Sequence, residues 1–362
     1  MKYKIEMLGL AMATTLLVSM VAAAGVSAAK PATVGGPVTG APGATNVGGT
    51  VWLVAQGATS PGGNIYYQIG TTGWLGPVGT GTNPCIVALG TTGTVDIFWV
   101  STSGALVGRT TTNGGAAWTA ITLPPSQVAA GTGPAATYNA ATGEVDVFYV
   151  NSGTNALMWD SLPANANNMQ QNLGGIVTAS PGAVAPRAIL TTLAGAPATT
   201  TGSIDVFVRG STGALYEKVY SMGGFGGWTK FHDGVLAAGT GPTAVANILT
   251  PDPVLTSNVF LFVTGTTGNL YELYSNDGGL TWNTAQPNGH ALGWMDLGGI
   301  LKSSPSAVAP LLLVGSQPTV GAPINNIAVV VRGGDGGIWT DTGFAPYNAT
   351  SDWHWSGPLA GP

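Results

Sequence analysis

The chain has 362 residues, a formal net charge of −5 and only 7% charged residues, against roughly 25% in ordinary soluble domains. Its 44% hydrophobic content excludes a disordered chain, and its single cysteine, Cys85, excludes a disulfide scaffold. Ten Lys and Arg against 15 Asp and Glu argue against a basic nucleic-acid-binding surface, and the 57 Gly follow no three-residue period, which excludes collagen.

In chain order, Lys2 and Lys4 precede an apolar run over residues 7–26 that ends in small residues. This predicts a secretory signal peptide over residues 1–29; Val26-Ser27-Ala28 and Ser27-Ala28-Ala29 both fit a small-x-small cleavage site. The run is also long enough to span a bilayer, so an uncleaved anchor is the rival reading. After cleavage no membrane span is expected, and the protein is predicted to be secreted or held at the cell surface. Cys85 lies between apolar neighbours and reads as a buried structural thiol.

Residues 30–362 are predicted to form a single domain of internal repeats. A short Pro-x-(Ala or nearby)-(Val or Thr) phrase starts at Pro42, Pro84, Pro134, Pro181, Pro242 and Pro305, at spacings of 42, 50, 47, 61 and 63 residues. After each phrase comes an apolar run, at residues 51–55, 95–100, 145–150, 204–208, 259–263 and 327–331. A third segment follows a Gly- or Ser-rich turn, at residues 65–69, 105–109, 156–160, 214–219, 269–274 and 337–340. A fourth, Trp-bearing segment closes most repeats, at Trp74, Trp118, Trp228, Trp294, and Trp353 with Trp355. The third repeat has only residues 169–175 in that place. Short segments rich in Val, Phe and Tyr between Gly-containing turns are strand signals, and no helical period is sustained after residue 30. Four strands about every 53 residues mark a propeller blade. The predicted fold is therefore an all-β β-propeller of six four-stranded blades, with seven left open. Residues 190–202 and 311–325 read as loops. The segment 33–38 aligns with the end of a fourth segment and is a candidate to pair beside the last one.

Several phrases resemble a known family. Leu173-Gly174-Gly175-Ile176-Val177 leads into Ser180-Pro181, and Ile204-Asp205-Val206-Phe207-Val208-Arg209-Gly210 precedes Gly213-Ala214-Leu215-Tyr216 and Gly227-Trp228. Leu297-Gly298-Gly299-Ile300-Leu301, Ser304-Pro305 and Val331-Arg332-Gly333 repeat the pattern. This resembles the propeller lectins of the Photorhabdus type, which bind fucose and related sugars between blades and usually have seven blades. The resemblance is clear in the fourth and sixth repeats. In the first three, Gln56, Ser101 and Asn151 replace the Arg, which implies that those repeats lack working sites. Ser275-Asn276-Asp277-Gly278-Gly279-Leu280-Thr281-Trp282 resembles the Asp-box of sialidase-like propellers, with a degraded copy over residues 111–118. Its expected role is structural: Ser275, Asp277, Gly279, Thr281 and Trp282 would form a tight turn with the Trp packed beneath it.

The chemistry points away from catalysis. A sialidase site needs three Arg with a Tyr–Glu pair and an acid. Only Arg109, Arg187, Arg209 and Arg332 follow the leader, and Glu144, Glu217 and Glu272 lie on or beside repeat strands. His232, His290 and His354 fall in different repeats, so no metal is expected, and no cofactor either. Asp96, Asp146 and Asp205 share one repeat position and read as strand-start carboxylates bonded to local amides. Trp52 and Trp99 read as core. Sugar rings stack on aromatic faces, so the candidate ligand-binding residues are Arg209, Tyr216, Trp228, Tyr271, Trp294, Arg332, Trp339, Trp353 and Trp355. The leading function is an exported, non-enzymatic, multivalent binder of glycans or glycoconjugates. A surface structural or adhesion protein with protein partners is the second reading, and a sialidase-like hydrolase the third. The sequon Asn348-Ala349-Thr350 fits either of the first two.

Overall fold

A computed structural model describes residues 38–359, except 59–62, 91–92, 141, 164–169, 185–202, 222, 233–235, 249–256, 276–277, 280, 283–292, 310–325 and 345–352. The predicted leader, the segment 33–37, His290, Asp277 and the two predicted loops all lie outside the described residues. Everything below concerns the unit Val34–Pro362. Among the described residues every regular element is a strand, and no helix is long and apolar enough to cross a membrane.

The first strands are β1 (Val38–Val47), β2 (Thr50–Gly57), β3 (Asn64–Ile69), β4 (Leu75–Ala88), β5 (Val95–Ser101), β6 (Leu106–Thr111) and β7 (Thr119–Ala120). They form one seven-stranded antiparallel sheet. Its middle strand serves two units: Thr80 pairs with Asn64 on β3, while Gly81 pairs with Ser101 on β5. Residues 75–80 thus form the outer edge of blade 1, and residues 81–88 the inner edge of blade 2. Blade 3 is β8 (Ala135–Asn139), β9 (Glu144–Val150), β10 (Leu157–Leu162) and β11 (Gln171–Gly174). Blade 4 is β12 (Gly182–Val184), β13 (Ile204–Arg209) and β14 (Leu215–Ser221), with β15 (Gly224–Phe225) and β16 (Thr229–His232) sharing the outer edge of β14. Blade 5 is β17 (Thr243–Ile248), β18 (Ser257–Thr264), β19 (Leu270–Ser275) and β20 (Met295–Gly298). Blade 6 is β21 (Ser306–Val308), β22 (Asn326–Arg332), β23 (Ile338–Phe344) and β24 (Trp353–Leu359).

The second strand of each blade is apolar without alternation because both of its faces are covered. In β18, Phe260 and Phe262 pack toward blade 6, while Val259, Leu261 and Val263 pack toward blade 4. One apolar cluster fills each seam: blades 1/2, 2/3, 3/4, 4/5, 5/6 and 6/1. The last joins Val38, Ala44 and Leu53 of blade 1 to Val308, Val330 and Ile338 of blade 6. The inner strands touch in the cyclic order β1, β4, β8, β12, β17, β21 and back to β1. The architecture is a closed β-propeller.

The ring closes without a borrowed strand among the described residues. Val38 pairs with Gly57 in its own blade, its N–H donates to the Gly336 carbonyl, and Ala44 N–H donates to Ser306 Oγ across the seam. The six Pro-x-(Ala or nearby) phrases line one axial cavity of about 120 Å³. They recur because a proline-led, small-residue strand lets six backbones approach one axis. Cys85 lies on this cavity with partial exposure, while burial of its thiol pushes the pKa up to about 12.

Two sequence readings change here. Asp96, Asp146 and Asp205 do stand near the starts of second strands, but they are buried there rather than bonded to local turn amides. Asp146 accepts from the Trp159 indole N–H at 2.8 Å. The place of Arg209 is also not held by Ser101 and Asn151. Pairing aligns Arg209 (opposite Leu215) with Gln56 (Ile65), Val100 (Leu106), Val150 (Leu157), Thr264 (Leu270) and Arg332 (Ile338). Ser101 and Asn151 instead align with Gly210, one residue on. The fourth-segment tryptophans lie between blades. Trp74, Trp118, Trp228, Trp294, Trp353 and Trp355 all turn back onto the preceding blade.

Candidate functional site

The chain between consecutive blades builds the rim of the ring. At each of four seams a linker N–H donates into the turn between the second and third strands of the blade it leaves: Val128 to Gly104, Val177 to Asn155, Leu236 to Gly213 and Leu301 to Gly268. The next linker N–H then donates to the last carbonyl of the second strand ahead, as Thr178 does to Arg209 and Lys302 to Arg332. Each linker therefore lies in the groove between two blades, beside the position of Arg209.

An aromatic ring flanks that position in four blades, and glycine makes room for it. A Cβ on Gly210 would lie 2.6 Å from Tyr216, on Gly265 2.5 Å from Tyr271, on Gly333 2.6 Å from Trp339, and on Gly57 3.1 Å from Tyr66. Where the glycine is Ser101 or Asn151, the facing residue is Val107 or Met158 rather than an aromatic. A Gly210→Ala substitution is therefore expected to displace the Tyr216 ring while leaving the fold intact. Near-UV circular dichroism reads this, and an unchanged spectrum would contradict it.

The grooves of blades 4 and 6 carry the full set. Arg209 ends β13 half-buried; its Nη1 donates to Thr178 Oγ1 at 2.6 Å and its Nε to the Leu236 carbonyl at 3.3 Å. Half-buried Tyr216 lies beside it, and Ile176 on the linker is 62% exposed. Trp228 leans on Gly175 and donates its indole N–H to the Leu173 carbonyl at 3.1 Å, with Lys218 Nζ 4.9 Å from its ring centroid. In blade 6, Arg332 Nη2 donates to the Lys302 carbonyl at 2.6 Å. Trp339 covers Gly333 and donates to Asp335 Oδ1 at 3.1 Å, and Ile300 is 71% exposed. Trp355 leans on Gly299 and donates to the Leu297 carbonyl at 2.8 Å. Neither Arg209 nor Arg332 forms an ion pair with a carboxylate among the described residues.

The structure separates the other candidates from these grooves. Trp294 and Trp353 are 8% and 6% exposed, inside the apolar clusters between blades, so they offer little ring face to solvent. Tyr271 is half-buried on its glycine, but Thr264 stands where blades 4 and 6 have Arg. In the Ser275–Trp282 turn, Ser275 Oγ accepts the Gly279 N–H at 2.9 Å, Thr281 is exposed, and Trp282 meets Phe207 of blade 4 edge-on at 5.7 Å. The turn at residues 111–118 has the same plan, with Gly115 N–H donating to Thr111 Oγ1 and Trp118 edge-on to Tyr67. Both turns lie against the blade before them. Sequence reasoning missed Ile176, Ile300, Thr178 and Lys302. The Gly-Gly-Ile phrase that marks the two isoleucines was visible twice, but nothing in it showed that the side chain stands in solvent.

Among the described residues no carboxylate pair converges in these grooves. Glu217 lies on the face toward blade 5 with Asp205; both are pushed up to about 7, Asp205 by burial and Glu217 by burial together with the nearby Asp205 charge. Among the described residues no cluster of three His, Cys, Asp or Glu could hold a metal ion.

No protein-family model matches the chain, and no curated protein does. Solved structures do. AofleA from Arthrobotrys oligospora matches with a TM-score of 0.64 at 13% identity, covering 91% of this chain and 89% of that one. The Aleuria aurantia lectin, described as a six-bladed β-propeller with a novel fucose recognition mode, matches at 0.55 and 12%, covering 89% and 95%. A lectin from Burkholderia pseudomallei matches at 0.56 and 18%, covering 89% and 84%. The likeness is one of fold. Nearly the whole chain takes part in it.

Proposed function

We propose that the protein is an exported, non-enzymatic lectin that binds glycans through the interblade grooves of blades 4 and 6. The observation that carries this reading is the coincidence, at two places in the ring, of an arginine without an acidic partner, an aromatic ring seated on glycine and an exposed isoleucine. Such a set suits a sugar. The guanidinium donates to hydroxyls, and the aromatic and isoleucine faces take its C–H surface. The two grooves are separated by blade 5, whose Thr264 cannot supply the donor fork of arginine. Valency is therefore two, and affinity for a glycan-bearing surface comes from engaging both grooves together. The fucose recognition described for the Aleuria aurantia lectin supports testing fucosides first.

The test is glycan-array and titration binding with the full chain. Arg209→Ala and Arg332→Ala are each expected to halve the stoichiometry, and the double variant to abolish binding with an unchanged melting temperature. A folded wild-type protein that binds no glycan on a broad array would overturn the reading. Release of dye from a sialoside substrate would favour the hydrolase instead.

A further inference from the structure

Blade 4 interleaves cations with aromatic rings on one wall. Along β14, Tyr216, Lys218 and Tyr220 alternate on the face toward blade 3, and Glu217 points to the opposite face. On β16, Lys230 pairs with Tyr216 and Thr229 with Glu217, which brings Trp228 alongside Lys218. The Lys218 Nζ stands 4.9 Å from the Trp228 ring centroid. Two rings and two lysines thus form a checkerboard, Tyr216 beside Lys230 and Lys218 beside Trp228, in the groove that Arg209 borders. Seven Lys and Arg follow residue 37 in this chain, and three of them meet here.

Lys230 is exposed, whereas Lys218 is only 8% exposed and forms no hydrogen bond or ion pair among the described residues. Burial lowers its pKa, because an ammonium taken from water without a counter-charge is costly. On the facing wall of blade 3, Asp146 gives its Oδ1 to the Trp159 indole N–H. Burial, with the charges of Asp146 and Glu144, raises the pKa of Tyr220, two residues beyond Lys218. The same four positions hold no cation in blades 5 and 6. In blade 5 they are Tyr271 opposite Asp296, and Leu273 with Trp294. In blade 6 they are Trp339 against Gly357, and Asp341 opposite Trp355. Asp341 is fully buried, and the rim of that blade adds the exposed carboxylate Asp335 to the exposed Lys302. Lys218 and Asp341 are therefore opposite charges at one place in the repeat, each beside the tryptophan of its groove.

We propose that the blade 4 groove takes an acidic sugar, one carrying a single carboxylate or sulfate ester, and that Lys218 supplies the counter-charge for it. The proposal rests on the lectin reading of the grooves. An anionic oxygen reaching Lys218 gives a charge-assisted bond to an ammonium that has no other partner, so the gain exceeds that of a pair between two solvated side chains. The Tyr216 ring beside it takes the C–H face of the sugar. Blade 6, with Asp341 in the same place, takes a neutral sugar.

The experiment titrates the full chain with methyl glucuronide against its methyl ester, and with a 6-sulfated methyl galactoside against its unsulfated parent. The expected result is that an acidic sugar binds about fivefold more tightly than its neutral partner at low salt, with the gap narrowing as NaCl is raised. The two arms show which anionic group the groove takes. Arg332→Ala is expected to remove the blade 6 site and keep the preference. Lys218→Met, which keeps the apolar stem, is expected to abolish it while neutral sugars still bind. Arg109→Gln, which removes a charge from blade 2, is expected to leave it intact. A readout without any variant is the NMR titration of isotope-labelled lysine: one lysine titrates below the others, and the acidic sugar moves it back up. No acidic preference, a preference lost with Arg332→Ala or Arg109→Gln, one that survives Lys218→Met, or a lysine titration that the sugar does not move overturns this proposal and leaves the lectin reading standing. Binding of none of the four sugars, nor of any array glycan, overturns both.

Discussion

Gly241→Ala is expected to cost about 3 kcal/mol of stability, because the added methyl meets backbone rather than a yielding side chain. A Cβ at Gly241 would lie 1.9 Å from the Ser180 carbonyl oxygen, where the inner strands of blades 4 and 5 converge on the axis. The Gly241 N–H also donates to Ser304 Oγ of blade 6 at 2.7 Å, so the residue is held from both sides. Any shift that relieves the clash must break that bond or open a seam. The melting temperature should fall on the order of 5 to 10 °C. Gly73→Ala is the control: its Cβ would enter open space, and its φ lies outside the left-handed region. Equal melting temperatures for the two variants would show that the axial packing is looser than the distances require.

The second large effect is a dependence of stability on pH. Asp205, Glu217 and Asp341 are pushed up to about 7, and Asp146 and Asp160 to about 6, in each case chiefly by burial. In the unfolded chain such groups titrate near 4. Between about pH 4 and pH 7 the folded protein therefore holds more protons than the unfolded one, and stability falls as pH rises through that window. Below about pH 4 the contribution is complete; above about pH 7 it is gone. The protein should melt at a higher temperature at pH 5 than at pH 8. Asp341 is fully buried between blades, so Asp341→Asn should raise the melting temperature at pH 8 by the equivalent of a few kcal/mol at most. It should change little at pH 4. Thermal melts of both proteins across pH 4–8 measure this. A wild-type curve that rises with pH would reverse the sign and refute the argument.

The fold was legible because the repeat writes the same physical demand several times. The Pro-x-(Ala or nearby) phrase, the doubly covered apolar run and the Gly-containing turns each recur with their order intact, so a weak signal at any one site becomes strong by position. What was not legible was which way side chains point. Trp228 and Trp294 belong to the same fourth segment, yet one is half-exposed at a groove and the other sealed in a seam. Ser101 and Asn151 were confused with the neighbouring Arg position because register is set by pairing with the third strand, and a one-residue slip cannot be seen in a single strand. The buried acids were missed for a similar reason: Asp146 finds its partner, Trp159, on the next strand rather than in its own turn.

Each blade comes from one uninterrupted stretch, and the seam between blades 6 and 1 is filled like the others, by an apolar cluster and a pair of bonds from Val38 and Ala44. No strand is shared across it among the described residues, so the covalent break carries no special structural duty. A circularly permuted chain, reopened in another linker, should therefore reach the same ring. The same independence lets one blade drift without its neighbours. Blades 2 and 3 lack the glycine–aromatic pair and the arginine but carry the proline phrase at the axis. The axis is held in common by all six blades, whereas recognition at the rim is a property that single blades can gain or discard.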